Sequence, residues 1–376
     1  SDPGRSRREA AYRAYCAVGG ELADGLERLI RLRNQFTRRL GYNNFLALNF
    51  NVAGLDLDDY RRTLSDLKSR SEQPYEEILS GVKTRLGLDR LEIWDLAYAY
   101  SNTRNRIDAY FPADAQLNIA RTSLRQMGFD LDKLPIYFDL DSREGKSQLA
   151  YAFLIKPPYE QRVMANVSDG HYSMRVLLHE IGHAVHFAHI RQDHPLFVNY
   201  VDDPWVEAMG QVFASLVDDR QWLATYAGVP SSLLDDYLDA KKEEDIIYLR
   251  ATLLRLNWEL EAYSNPNRDL NKLYWDLFEE YMRLPRHDDI KPWAGIIHYT
   301  THPVYLQNYL LGDMLSAQIL AFMRDNYGPV VESRMTQSFL VQSCFRYGGR
   351  YDWNELLRLA TDEVLSAAYL SGGLGL

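Results

Sequence analysis

Two histidines and a glutamate in the run LLHEIGHAVHFAH, residues 177–189, have the types and the spacing for metal-assisted hydrolysis. His179 and His183 are four apart, so on a helix they stand one turn above each other with both imidazoles able to meet one ion. Glu180, beside the first of them, reaches the edge of such a site without entering the coordination shell. This H-E-x-x-H arrangement offers two zinc ligands and a general base for a metal-activated water. The intervening Val176, Leu177, Leu178, Ile181, Ala184, Val185 and Phe187 make the segment apolar nearly all round, which implies burial. Buried imidazoles and a buried carboxylate without partners are costly, so a metal accounts for them better than solvation does.

Zinc needs a third protein ligand. His189, ten residues after His179, has the spacing of H-E-x-x-H-x-x-G-x-x-H. That pattern requires a glycine at its eighth position so that the chain can leave the helix, and His186 stands there instead. With no breaker before Pro195 the helix is expected to run on over 173–192, carrying His189 about 15 Å along the axis. Glu207 is the better candidate. It lies 24 residues after His183, near the start of a second helix over 204–218, and Gly182 and Gly210 would let the two helices approach closely. His186 is expected in the core or beside the site, and His171 and His194 as ordinary residues.

Hydrolysis of a peptide bond also needs donors placed for the oxyanion. His298, Tyr299, His302, Tyr305 and Tyr309 crowd into one stretch, IIHYTTHPVYLQNYLLGDMLSAQ, with Pro303 at a natural first helical turn. His298 is then expected in the preceding loop, with Tyr305 and Tyr309 on one helix face. The chain has 26 tyrosines, so the pattern alone does not choose among these residues.

The elements that must carry these residues are mostly helices. Apolar residues recur at helical spacing over 21–40, 57–70, 74–86, 91–108 and 115–127. LPIYFDLD, SQLAYAFLIKP and RVMANV, between 134 and 167, read as three short strands broken by Ser-Arg-Glu-Gly and Pro-Pro-Tyr. Helical period returns over 173–192, 204–218, 231–263, 268–283, 303–325, 333–346 and 353–370. The expected organisation is one catalytic domain over 1–376, with helices to about 130, a small sheet over 131–168 and the site helices over 169–376. Its two helical lobes would be interleaved, since no flexible linker is visible.

Composition excludes some partners. A net charge of −10 disfavours nucleic acid and anionic membranes, and no apolar run is long enough to span a bilayer. Cys16 and Cys344 are too few for a disulfide framework. The opening SDPGRSRREAAYRAY has no apolar leader, which favours a soluble, cytoplasmic protein, although it lacks an initiator Met and the compartment stays open. Oligomeric state is not legible.

HEIGH followed by Glu207 in EAMG resembles the gluzincin peptidases, which include angiotensin-converting enzyme, thimet oligopeptidase and oligoendopeptidase F. HYTTHPVYLQNYLLG resembles an oligoendopeptidase stretch in which His298, Pro303, Tyr305, Tyr309 and Gly312 fall in register. SQLAYAFLI resembles the edge strand that pairs with extended substrates in these families. The resemblance implies a mainly α fold with a deep cleft between two helical halves and a small sheet beside the H-E-x-x-H helix. It implies one zinc on His179, His183 and Glu207, Glu180 as base, and His298 and Tyr305 as oxyanion donors. Substrate contacts would come from Tyr309 and from Ala150, Tyr151 and Ala152. Two departures stand out: Ile296 replaces a lysine of the converting enzyme that helps hold a C-terminal carboxylate, and Gln211 replaces its acid after the glutamate ligand. Members are generally longer, so part of an N-terminal lid is expected to be missing. The expected function is a zinc metallopeptidase acting on oligopeptides. The alternatives are a metallocarboxypeptidase or dipeptidyl carboxypeptidase, and a catalytically silent peptide-binding protein of this fold.

Overall fold

Helical period dominates the chain, and the structure follows it. The structure is a computed structural model describing residues 2–376, and among these it contains seventeen α-helices and one three-stranded sheet. The elements that matter here are, in chain order, α1 (Arg5–Arg39), α2 (Leu57–Leu86), β1 (Ile136–Asp139), β2 (Tyr151–Lys156), β3 (Glu160–Met164), α3 (His171–Ala188), α4 (Asp203–Ala214), α5 (Ser231–Ser264), α6 (Ile297–Thr301) and α7 (Leu306–Tyr327). The expected class, mainly helical with a small sheet, is what is found. No described helix is long and apolar enough to cross a membrane. Both cysteines are free and buried.

The chain divides into two compact units. Unit 1 comprises residues 1–102, 240–307 and 374–376, and unit 2 comprises residues 103–239 and 308–373. In unit 1, α1 runs from well before the expected position, and its buried stripe, Cys16, Gly19, Ala23, Leu26, Ile30, Asn34 and Thr37, keeps a three- and four-residue spacing back to Cys16. α2 replaces the two helices expected over 57–70 and 74–86. Pro74 lies inside it, yet the buried positions Leu64, Leu67, Ser71, Tyr75, Ile78 and Val82 stay in register across the proline. One continuous apolar face outweighs one lost backbone hydrogen bond. Near the end of α5, Trp258 stacks against Trp293 and Tyr299, with ring centroids 5.0 and 4.5 Å apart.

Unit 2 holds the sheet and the H-E-x-x-H helix. β3 is the central strand, parallel to β1 and antiparallel to β2, with Ala152 opposite Val163. β2 is therefore an edge strand. Its inward Leu154 packs against Phe187, Ile190 and Val198, at and beyond the end of α3. The outward residues Phe153 and Ile155 are exposed. The terminal expectation of one helix over 353–370 is corrected to two, Trp353–Thr361 and Ala367–Leu374, because Asp362 takes a left-handed conformation that ends the first.

The loop leading into β2 is held by a buried cation. Lys146 Nζ donates to the carbonyls of Asp139, Asp141 and Ala165 at 3.0, 2.9 and 2.9 Å and to Asp139 Oδ1 at 3.1 Å. Removing it strands three carbonyls, and each unmet buried polar group costs roughly 1–3 kcal/mol. Lys146→Met should therefore lower the thermal midpoint by several degrees, measured by circular dichroism. An unchanged midpoint would show that this cage does not fix the loop.

Candidate metal centre

α3 is started and stopped by specific groups. At its N-terminus Asp108 Oδ1 accepts the His171 N–H at 2.8 Å. Gly170 enters at φ +117, where a Cβ would press on that same carboxylate. The expected run to 192 is corrected: the helix stops at Ala188, where Arg191 Nη1 donates to the Ala188 carbonyl at 3.1 Å. His189 caps the end and turns its Nδ1 back to the Val185 carbonyl at 2.7 Å. Its ring lies against Phe129 and Phe345. His186 is fully buried between Phe187 and Phe345, with centroids 5.4 and 5.2 Å away, and burial pushes it down to about 3. It is a neutral packing residue.

The remaining pair converges. His179 Nε2 and His183 Nε2 are 3.0 Å apart, and Glu207 Oε2 on α4 is 3.3 Å from His179 Nε2. Ligands on a tetrahedral ion at about 2.0–2.2 Å would be separated by roughly 3.3–3.6 Å; the His179–Glu207 spacing matches this, and the His179–His183 spacing falls a few tenths of an ångström short of it. Ligand atoms of His179, Glu180 and His183 also fall within 4.8 Å of one another. That grouping does not distinguish a third ligand from a neighbouring base, whereas the 3.3 Å contact favours Glu207. Burial, then the nearby His179, hold His183 down to about 3, so it is neutral and able to bind a cation.

Backbone proximity makes this geometry possible. A Cβ on Gly182 would lie 2.7 Å from the Met209 carbonyl oxygen, and one on Gly210 would lie 2.6 Å from His183 Cε1 and 2.7 Å from His179 Cε1. The imidazoles occupy the space a side chain at 210 would fill. On the far side of α4, a Cβ on Gly312 of α7 would come within 2.7 Å of Glu207 Cβ. One turn from each of these, Asn308 Nδ2 donates to Asp203 Oδ2 at 3.4 Å. Burial, then Glu207 and Asp202, push Asp203 up to about 6. Sequence reasoning missed Asp203. Its position four before Glu207, on the same helix face, was the available signal.

Glu180 is buried, and that burial pushes it up to about 7. Glu207 adds to the rise, while His179 and the backbone N–H of Ala152 oppose it. The Ala152 amide brings β2 to the edge of the site, and Ala150 and Tyr151 precede it at the mouth of the same strand. Gln211 receives a hydrogen bond from Arg175 Nη2 at 2.9 Å, so an amide and a guanidinium stand where a carboxylate was in question. His171 is not ordinary. Its Nε2 lies 3.1 Å from the Val217 carbonyl and 2.7 Å from the Tyr237 hydroxyl, which donates to Asp218 Oδ1. This network anchors the start of α3.

Tyr309 lies in the first turn of α7, half-buried. His298 and Tyr305 belong to unit 1. His298 sits in α6 rather than in a loop, 6.2 Å between ring centroids from His302, which is 6.1 Å from Tyr305. Pro303 does not begin a helix: α7 starts at Leu306, and Tyr305 immediately precedes it.

No family model matches the chain, and no curated protein matches it in sequence. Its fold is shared with solved peptidases. PZ peptidase A, solved with an inhibitor, superposes with a TM-score of 0.73 at 17% identity over 100% of this chain and 69% of the other. A protein assigned as oligoendopeptidase F from Bacillus anthracis gives 0.73 at 18% over 99% and 66%. M32 carboxypeptidase from Deinococcus radiodurans gives 0.71 at 17% over 99% and 80%. The chain thus has the fold of large helical peptidases while spanning about two thirds of the length of the first two.

Two outcomes follow. Gly210→Ala should weaken the affinity of this centre for an added divalent ion such as zinc on the order of 10- to 100-fold, since overpacking at such a contact costs about 1–3 kcal/mol; a chelator competition titration reads this, and unchanged affinity would refute the cradle. In metal-free protein, Glu180 has its pKa raised from 4.5 to about 7. Its contribution to stability is then fully present below the unfolded value and is lost as pH rises through about 7. Glu180→Gln stays neutral, so its melting temperature relative to wild type should climb between pH 5 and pH 8. A pH-independent difference would refute the shift.

Proposed function

We propose that the protein is a zinc metallopeptidase acting on oligopeptides. The observation that carries this is the approach of His179, His183 and Glu207 to 3.0 and 3.3 Å beside a buried Glu180. His179, His183 and Glu207 would hold one zinc ion. When bound, that ion supplies Lewis-acid polarisation of a carbonyl and lowers the pKa of water.

Glu180 is the general base. Burial that holds it at about 7 keeps a carboxylate basic enough to accept a proton from the attacking water, and acidic enough to return it to the departing amine. β2, an edge strand whose Ala152 amide reaches Glu180, gives an extended peptide a main chain to pair with over Ala150, Tyr151 and Ala152. Tyr309 is assigned to substrate contact. His298 and Tyr305 are assigned as oxyanion donors; the support for both is the register of the segment from His298 to Gly312, which resembles oligoendopeptidases. A single catalytic domain remains the proposed organisation.

A carboxypeptidase is the second reading, favoured by the coverage of 80% of M32 carboxypeptidase. Ile296, where the converting enzyme has a lysine, speaks against carboxylate anchoring of that enzyme's kind.

Glu180→Gln should retain stoichiometric zinc and lose roughly 10²- to 10⁴-fold in cleavage of a quenched peptide. Mass spectrometry of products from a mixed peptide pool separates internal cleavage from C-terminal trimming. A zinc-loaded wild type that cuts nothing in such a pool would leave the silent binding protein as the correct reading.

A further inference from the structure

Val304 has φ +58, a left-handed conformation that a β-branched residue rarely adopts. It is buried, and it lies between Pro303, whose ring fixes its own φ, and Tyr305 at the entry to α7. Such a conformation persists only where its surroundings over-determine it.

Those surroundings lie within unit 1. Glu259 Oε1 on α5 accepts the Val304 N–H at 2.7 Å. The Val304 carbonyl accepts from Gln307 Nε2 in the first turn of α7. Just upstream, Arg33 of α1 donates to the carbonyls of Tyr299 and Thr300, both at 2.6 Å, and to the Tyr263 hydroxyl at 3.0 Å. The Tyr299 hydroxyl in turn donates to the Arg255 carbonyl at 2.8 Å. The segment from α6 to α7 is thus held at the carbonyls by a cation and at the amide by a carboxylate. Two elements distant in sequence impose a turn that local propensity opposes.

We infer that Glu259 is a positioning residue: by holding the Val304 amide it keeps the left-handed turn that sets the main chain of Tyr305. The inference rests on the assignment of Tyr305 as an oxyanion donor. Glu259 is almost wholly buried, and burial pushes its carboxyl up to about 7, so this acid is retained at a cost that ordinary packing would not require. Glutamine at 259 would preserve an acceptor oxygen, and leucine would preserve only the volume. Glycine at 304 adopts positive φ freely, which removes the need for the clamp.

The experiment compares Glu259→Leu, Glu259→Gln, Val304→Gly and Tyr305→Phe in the full zinc-loaded chain, with hydrogen exchange of residues 302–306 measured beside kcat and KM. Glu259→Leu should lower kcat on the order of 10- to 100-fold with KM nearly unchanged, and should speed exchange in 302–306 while zinc stoichiometry holds. Glu259→Gln should retain most of the activity, and adding Val304→Gly to Glu259→Leu should recover part of the lost kcat. If Glu259→Leu fails to fold, Glu259→Asp decides, because it keeps the acid and shortens its reach: a kcat loss that adding Val304→Gly relieves supports the inference, and an undiminished kcat, or a loss that Val304→Gly does not relieve, overturns it. Normal kcat and normal exchange in a folded Glu259→Leu also overturn it. Tyr305→Phe with full activity overturns the oxyanion assignment instead, and exchange then reports whether Glu259 still holds the turn.

Discussion

The close approach of α3 and α4 is the constraint on which the proposed metal centre depends. Two helix backbones with ordinary side chains at the crossing pack about 8–10 Å apart; glycines at 182 and 210 remove the side chains that would keep them at that distance. The imidazoles of His179 and His183 then fill the volume above Gly210, and Glu207 is brought level with them from the opposite helix. Gly312 repeats the device from α7, seating that helix directly on the Glu207 backbone. Three missing β-carbons thus define where His179, His183 and Glu207 stand.

Polar groups buried in unit 2 are treated unequally. Lys146 meets four acceptors and fixes the approach to β2, and His171 joins a chain of carbonyl, hydroxyl and carboxylate at the start of α3. These are saturated networks, of the kind that specify one arrangement. Glu180 and Asp203 differ: their carboxyls are raised by burial and by neighbouring acids, so they stand ready to exchange protons or to respond to a cation beside them.

Much of this is legible in the sequence. The two-residue and 3.6-residue periods locate the sheet and most helices, and H-E-x-x-H with an acid 24 residues on brings together the groups that the structure places within contact distance. The glycines at 182 and 210 were legible as close-approach positions because they interrupt otherwise bulky helical faces. What failed depended on distant partners. Nothing local to Pro303 and Val304 announces a left-handed valine, since the carboxylate that holds it lies 45 residues earlier in sequence. Pro74 reads as a break because its neighbours do not reveal that one apolar face spans it. α3 ends where the Arg191 N–H leaves the helical ladder for the Arg346 carbonyl at 3.0 Å, a contact that helix propensity does not encode. His171 looked ordinary for the same reason: Tyr237 and Asp218 come from other helices.

β2 carries one further consequence. An edge strand offers its free N–H and C=O groups to any extended chain, without regard to which side chains that chain bears. Phe153 and Ile155 are exposed on its outward face, so the strand is sticky as well as open. Another copy of this molecule presents the same edge, and two such edges can satisfy each other. The feature that would make the protein tolerant of many peptide sequences therefore also leaves an edge open to a second copy, and Lys156 at the strand's end is a charge that opposes such pairing.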